Sequence, residues 1–308
     1  MRKNAAIAIS LVAILAVAGV AAVIVLTNDS DDKKYVYTTM SWQQEMVQEI
    51  VGDEYTVVSF LEANTSPHAT EITPGIIASR NTVAYFAVGS GVEWEETNLE
   101  IIRDQQGITT FECCEELIEL GVMDPLLEGE EHEGSEEGHD HATDPHVWAS
   151  PERLALIAEY VKDMMTELEP DNAAVFEAGC ASYRAKVDVL IGLEQEYLTG
   201  KATTEIIVWH PSWAYLLPDN VTEAELMEAA EAASTPSSIA MLQGGTPENP
   251  INVFLSEPEE INGLTQQGLC EMGIYVNIIV INILAGDWVE YLGQVIVELG
   301  VNIPDAGT

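Results

Sequence analysis

Six histidines are available for metal or proton chemistry, at positions 68, 132, 139, 141, 146 and 210. Three of them stand beside prolines, in Ser66-Pro67-His68, Asp144-Pro145-His146 and His210-Pro211. Proline fixes the local backbone and lacks an N–H, so each of these histidines belongs to a turn rather than to the interior of a strand. Imidazole is the commonest protein ligand for zinc, and three imidazoles with an open fourth position form a recognisable zinc set. His68, His146 and His210 are too far apart in the chain for one helix or finger to hold them, so only tertiary folding could bring them together. Taken singly, such a histidine is more often a surface or hydrogen-bonded residue. His132, His139 and His141 sit among Glu130, Glu131, Glu136, Glu137 and Asp140. Such a tract is either a solvated linker or a weak metal-collecting loop, because short His-rich runs bind metal. The four cysteines, Cys113, Cys114, Cys180 and Cys270, form no C-x-x-C pair, which argues against a thiolate zinc site. They allow buried free thiols or a disulfide, and spacing does not choose among the pairings.

The elements that must position these histidines alternate. Residues 35–38, 56–61, 83–88 and 108–111 read as strands from their β-branched and aromatic content, and 42–51 reads as a helix stopped by Gly52. A short helix is expected over 74–79, after Thr73. The stretch 127–143 has no apolar periodicity and reads as an exposed acidic loop. Ser150-Pro151 is a helix start for 151–168, and Pro170 opens a second helix to about 198, which at ~29 residues would run about 43 Å and could join two halves. Strands are then expected at 205–209, 252–256 and 274–283, and helices at 223–233, 259–272 and 287–299. This alternation implies β-α-β units and parallel sheets. The fold class expected is therefore α/β, with two lobes, each a parallel sheet flanked by helices. The divisions are 1–27 for an N-terminal membrane anchor or signal, 28–34 for a tether, 35–168 for the first lobe, 170–198 for the connecting helix and 201–308 for the second lobe. In open parallel sheets, ligands bind beyond the carboxyl ends of the strands. His68 and His210 both follow strands.

Composition narrows the function. Of 308 residues, 52 are acidic and 11 basic, for a formal net charge of -41. No clustered Lys and Arg exist to meet phosphates, so nucleic acid is excluded as a partner. The acid excess suits a salt-rich medium and attracts cations. Arg2 and Lys3 precede an apolar run over 5–26, which as a helix would reach about 33 Å, enough to cross a bilayer. It reads as a retained membrane helix with its positive end inside, leaving the folded part extracytoplasmic. No Cys follows it to take a lipid. A shorter cleavable signal and a buried core helix are the alternatives.

Three segments carry a family likeness: Ser66-Pro67-His68-Ala69-Thr70-Glu71-Ile72-Thr73-Pro74, Asp144-Pro145-His146-Val147-Trp148 with Pro151, and Ile207-Val208-Trp209-His210. In order and content they resemble the ligand motifs of the zinc and manganese solute-binding proteins of ABC importers. The likeness runs from about residue 34 to the end and includes the acidic His-rich loop, the long helix and Gly286-Asp287-Trp288. It implies two α/β lobes joined by a rigid helix, with metal in the cleft. It also implies a monomer that delivers the ion to a membrane permease driven by a separate ATPase. Within that family, histidine at the third position, here His210, goes with Zn2+, and Mn2+ or another divalent transition metal is the alternative cargo. The chain departs from the pattern at Ser66 and at Asn282, where the family often has aspartates, and over 213–250. A neutral amide is a poorer ligand for a dication than a carboxylate, so water is expected at the fourth position, with Asn282 as the protein candidate near it. Glu71 and Asp144 are candidates to orient the ligand imidazoles from behind.

An enzyme is the competing class, because zinc on three histidines also describes metal-assisted hydrolysis. No H-E-x-x-H helix, G-x-S-x-G elbow or phosphate-cradling glycine loop is present, and the expectation is that the protein is not an enzyme. A surface adhesin with a structural metal site is a third reading.

Overall fold

A computed structural model describes residues 33–63, 81–104, 108–128, 143–208, 211–225, 242, 244–248, 250–255, 274–281 and 287–307. Two four-stranded sheets organise them. The first contains β1 (Lys34–Thr38), β2 (Tyr55–Ser59), β3 (Thr82–Ala87) and β4 (Thr109–Glu112), in the order β2-β1-β3-β4. The second contains β5 (Thr204–Val208), β6 (Val221–Glu225), β7 (Ile251–Leu255) and β8 (Val276–Val280), in the order β6-β5-β7-β8. Every pairing is parallel, and the two orders are the same once the strands are renumbered within each sheet. Each sheet therefore reverses its winding between its two central strands, β1 and β3 or β5 and β7. Chain segments leaving those carboxyl ends diverge there and open a crevice.

The described helices are α1 (Ser41–Val51), α2 (Glu93–Arg103), α3 (Cys113–Glu119), α4 (Pro151–Leu168), α5 (Ala173–Tyr197) and α6 (Trp288–Asn302). The Ser150 side chain accepts the Arg153 N–H at 3.3 Å, capping α4 with Pro151 in its first turn, as the Ser-Pro signal predicts. The long helix begins as a single 3-10 turn over Pro170–Asn172 before α5, whose 25 residues extend about 37 Å. On α5, Phe176, Cys180, Tyr183, Val187 and Leu190 are buried, a stripe repeating every three or four residues that faces α1, α4 and α6. Helix α5 thus packs against elements of both halves. Its approach to α1 requires Gly179, because a Cβ there would lie 2.3 Å from the Glu49 carbonyl oxygen.

The sequence expectations meet the structure unevenly. The strand and helix positions agree to within a few residues at β1 to β5, β7, α1, α4 and α6, while the expected strand over 274–283 is shorter. The expected helix over 223–233 is corrected at its start: residues 223–225 belong to β6, which pairs in parallel with β5. Local Glu and Ala content favours helix there, but an open strand edge on β5 decides the conformation. Helices α2 and α3 and strand β6 were not expected. The expected helices over 74–79 and 259–272, the apolar run 5–26 and the acidic tract 129–142 lie outside the described residues. No helix among the described residues is long and apolar enough to cross a membrane. Cys113, Cys114 and Cys180 are buried free thiols, and Cys270 lies outside the described part.

Candidate metal centre

His146 is the candidate ligand that falls within the described residues. It lies just before a 3-10 turn, Val147–Ala149, leading into α4, and is 2% exposed. Asp144 holds it twice. One carboxylate oxygen of Asp144 accepts the His146 backbone N–H at 2.9 Å and meets the ring Nδ1 at 2.8 Å. Proline between the two residues keeps this turn tight. A carboxylate only accepts hydrogen bonds, so Nδ1 carries a proton, and in a neutral imidazole held this way Nε2 is the nitrogen with the lone pair, the tautomer a metal ligand needs. The Trp148 ring packs against the imidazole in a T-shaped arrangement, with centroids 5.3 Å apart.

The turn is fastened to the switch point of the first sheet. Ser90, just past β3, donates its hydroxyl to the Pro145 carbonyl at 2.8 Å, and Thr143 donates to the Ser90 carbonyl at 3.1 Å. The Ser90 loop is in turn held by Glu95 on α2. The Glu95 carboxylate accepts the Val88 N–H at 2.6 Å and the Gly89 N–H at 2.9 Å, and it accepts a bond from the Thr39 hydroxyl. Tyr85 completes the chain, its hydroxyl 2.7 Å from that of Thr39. Thr39 follows β1 and Val88 follows β3, so one buried carboxylate ties both sides of the crevice together. Burial pushes its pKa up, and the three donors work against that shift.

The second half reaches the same turn. After β5 and residues 209–210, the N–H groups of Ser212 and Trp213 donate to the Glu223 carboxylate on β6, at 3.1 and 3.2 Å. Two residues on, the Tyr215 hydroxyl donates to the Asp144 carbonyl at 2.8 Å. At the start of α6, the Trp288 indole N–H donates to the Trp148 carbonyl at 2.7 Å, and its backbone N–H donates to Glu45 of α1 at 2.8 Å. Asp287, which precedes it, adopts a left-handed φ of 53°. Burial, as the largest influence, raises the Glu45 carboxyl above its ordinary range.

His68, Glu71, His210, Asn282, His132, His139 and His141 lie outside the described residues. Among the described residues no three His, Cys, Asp or Glu side chains gather closely enough to hold a metal. In the chain, residues 64–80 come after β2, the edge strand of the first sheet, and residues 209–210 come directly after β5, a central strand of the second. Sequence reasoning missed Glu95, Glu223 and Tyr215. The two glutamates carry no motif and are hidden among 52 acidic residues, whereas Tyr215 had a usable signal in its position shortly after His210-Pro211.

Two parallel sheets, wound alike and spanned by one long helix, with a buried imidazole held by a carboxylate beside the first, define a two-sheet α/β molecule. The family described as zinc-uptake complex component A, periplasmic, matches residues 36–293, and the chain belongs to that family. It is 29% identical over 198 residues to the zinc-binding lipoprotein AdcA of Streptococcus pneumoniae serotype 4, covering 62% of this chain and 38% of AdcA. The chain thus aligns with well under half the length of that relative. Similarity to the high-affinity zinc uptake system protein ZnuA of Bacillus subtilis is 26% over 244 residues, 75% of this chain and 72% of that one. A crystal structure of ZnuA superposes with a TM-score of 0.67 at 23% identity, covering 88% of this chain and 99% of the other, so the fold is shared.

Proposed function

We propose that the chain is the extracytoplasmic zinc-binding subunit of an ABC-type importer, taking up Zn2+ between two lobes and passing it to a permease driven by a separate ATPase. The observation that carries this reading is His146, buried, with its Nδ1 held by Asp144 and its turn fastened through Ser90 to the crevice of a parallel sheet. Family membership and relatives named for zinc binding and zinc uptake support it. In this reading 35–168 and 201–308 are the two lobes, with 170–198 between them. His68, His146 and His210 are the ligands, and water or Asn282 takes the fourth position. Glu71 assists Asp144 from behind the ligands, and residues 1–27 tether the protein to the membrane. The ion is cargo: it binds and leaves without turnover.

Zinc titration of the purified full chain against a competing chelator tests the reading. His68→Ala, His146→Ala and His210→Ala are each expected to weaken binding by well over tenfold while cooperative unfolding is retained. Wild-type affinity in any of the three removes that residue from the site, and in all three removes the assignment.

A further inference from the structure

Tyr215 joins the two halves at the turn that carries His146. Its hydroxyl donates to the Asp144 carbonyl at 2.8 Å and accepts the Leu127 N–H at 3.0 Å. The Asp144 N–H donates to the Leu127 carbonyl at 2.9 Å, which closes the set into a ring of three bonds. One atom of the second half thus fastens two segments of the first that lie 17 positions apart, 127 and 144. The Arg153 guanidinium covers the phenol ring, 4.6 Å from its centroid, and donates to the carbonyls of Asp124 and Pro125 at 3.2 and 3.0 Å. On its own side Tyr215 is equally constrained, because the N–H groups of Ser212 and Trp213 are held by Glu223. A continuous series of bonds therefore runs from β6 through residues 212–215 to Asp144, and from Asp144 to the His146 ring.

We propose that Tyr215 is a positioning residue for metal capture: its hydroxyl fixes the distance between the segment following His210 and the Asp144–His146 turn before the ion arrives. The inference rests on the zinc-binding reading above. Tyr215 touches no metal; it acts through Asp144. Holding two ligand-bearing segments in register lowers the ordering cost of binding, and a gain of that kind appears chiefly in the dissociation rate.

The test is zinc release from the full chain into excess chelator, with Co2+ absorption as a second readout of ligand geometry. Tyr215→Phe keeps the ring beneath Arg153 and removes the hydroxyl alone. Its zinc release is expected to quicken about tenfold, with a changed Co2+ spectrum, while the metal-free protein melts only a few degrees lower. Gly300→Ala is the control for lost stability, because a Cβ there would meet the Tyr197 Cβ at 2.6 Å, in the α5–α6 contact. It is expected to lower the melting point and leave zinc release within about twofold of wild type. Wild-type release from Tyr215→Phe, or equal acceleration in Gly300→Ala, overturns the inference. His146→Ala measured alongside separates the two levels. If it binds zinc as wild type does, His146 leaves the site and the latch falls with it; if it loses zinc while Tyr215→Phe behaves as wild type, only the latch fails.

Discussion

The two halves wind their sheets identically and hold the chain beyond a central strand with the same device, a carboxylate that gathers backbone N–H groups, but they place that carboxylate differently. In the first half, Glu95 comes from a helix, is 3% exposed and spans the crevice from Thr39 to Gly89. In the second, Glu223 comes from the edge strand, is half-buried and holds Ser212 and Trp213. The first arrangement makes a rigid platform, from which Ser90 and Pro145 present His146. The second makes a bracket for a segment that reaches across to the other half through Tyr215. One turn is thus anchored deep in its own sheet, while the segment that meets it is held from an edge strand.

The largest expected effect breaks the platform. Glu95→Ala strands the Val88 and Gly89 N–H groups and the Thr39 hydroxyl, and should cost about 3 kcal/mol or more in denaturant unfolding. Glu223→Ala should cost about 2 kcal/mol, since it strands two donors, the N–H groups of the buried Ser212 and Trp213, where Glu95→Ala strands three. Equal costs would mean that the two supports are equivalent. Next in size are the joints of the long helix. Gly179→Ala drives a Cβ into backbone of α1, at 2.3 Å from the Glu49 carbonyl oxygen, whereas at Gly300 the first atom met is the Tyr197 Cβ, at 2.6 Å. Overpacking of this kind costs about 1–3 kcal/mol, and Gly179→Ala should be the worse, a ranking that thermal unfolding of the two variants can reverse.

The smallest effect is a stabilisation. Burial, with a contribution from Glu152, pushes the Glu194 carboxyl from 4.5 up to about 7. Between those values the folded protein holds a proton that the unfolded chain has released, so this group's contribution to stability falls as pH rises through that window and stays low above it. Glu194→Gln should therefore melt a few degrees higher than wild type at pH 8 and show no gain at pH 4. A gain of the same size at both values would show that the side chain acts through packing rather than charge.

Much of the architecture was legible because it rests on local physics. Ser150-Pro151 starts a helix wherever it falls before a periodic run, β-branched stretches such as that around Val57 pair as strands, and Asp-Pro-His confines a carboxylate and an imidazole to one turn. The Asp144–His146 bond depends on three consecutive residues, so sequence alone could nominate it. Residues 223–225 went the other way. Their helix-favouring composition gave way to pairing with β5, an interaction with a partner some twenty residues earlier that no local window contains.

By itself, then, the sequence determined the alternation of elements, the acidic surface, and three proline-flanked histidines of which one is seen oriented by its neighbour. Only the tertiary structure decided which of so many carboxylates become buried supports and which tyrosine fastens the halves together. A lone Glu or Tyr has the same local propensities whether solvated or enclosed. Its role is set by which distant N–H or carbonyl the packing brings within about 3 Å of it, and by how much water that packing excludes.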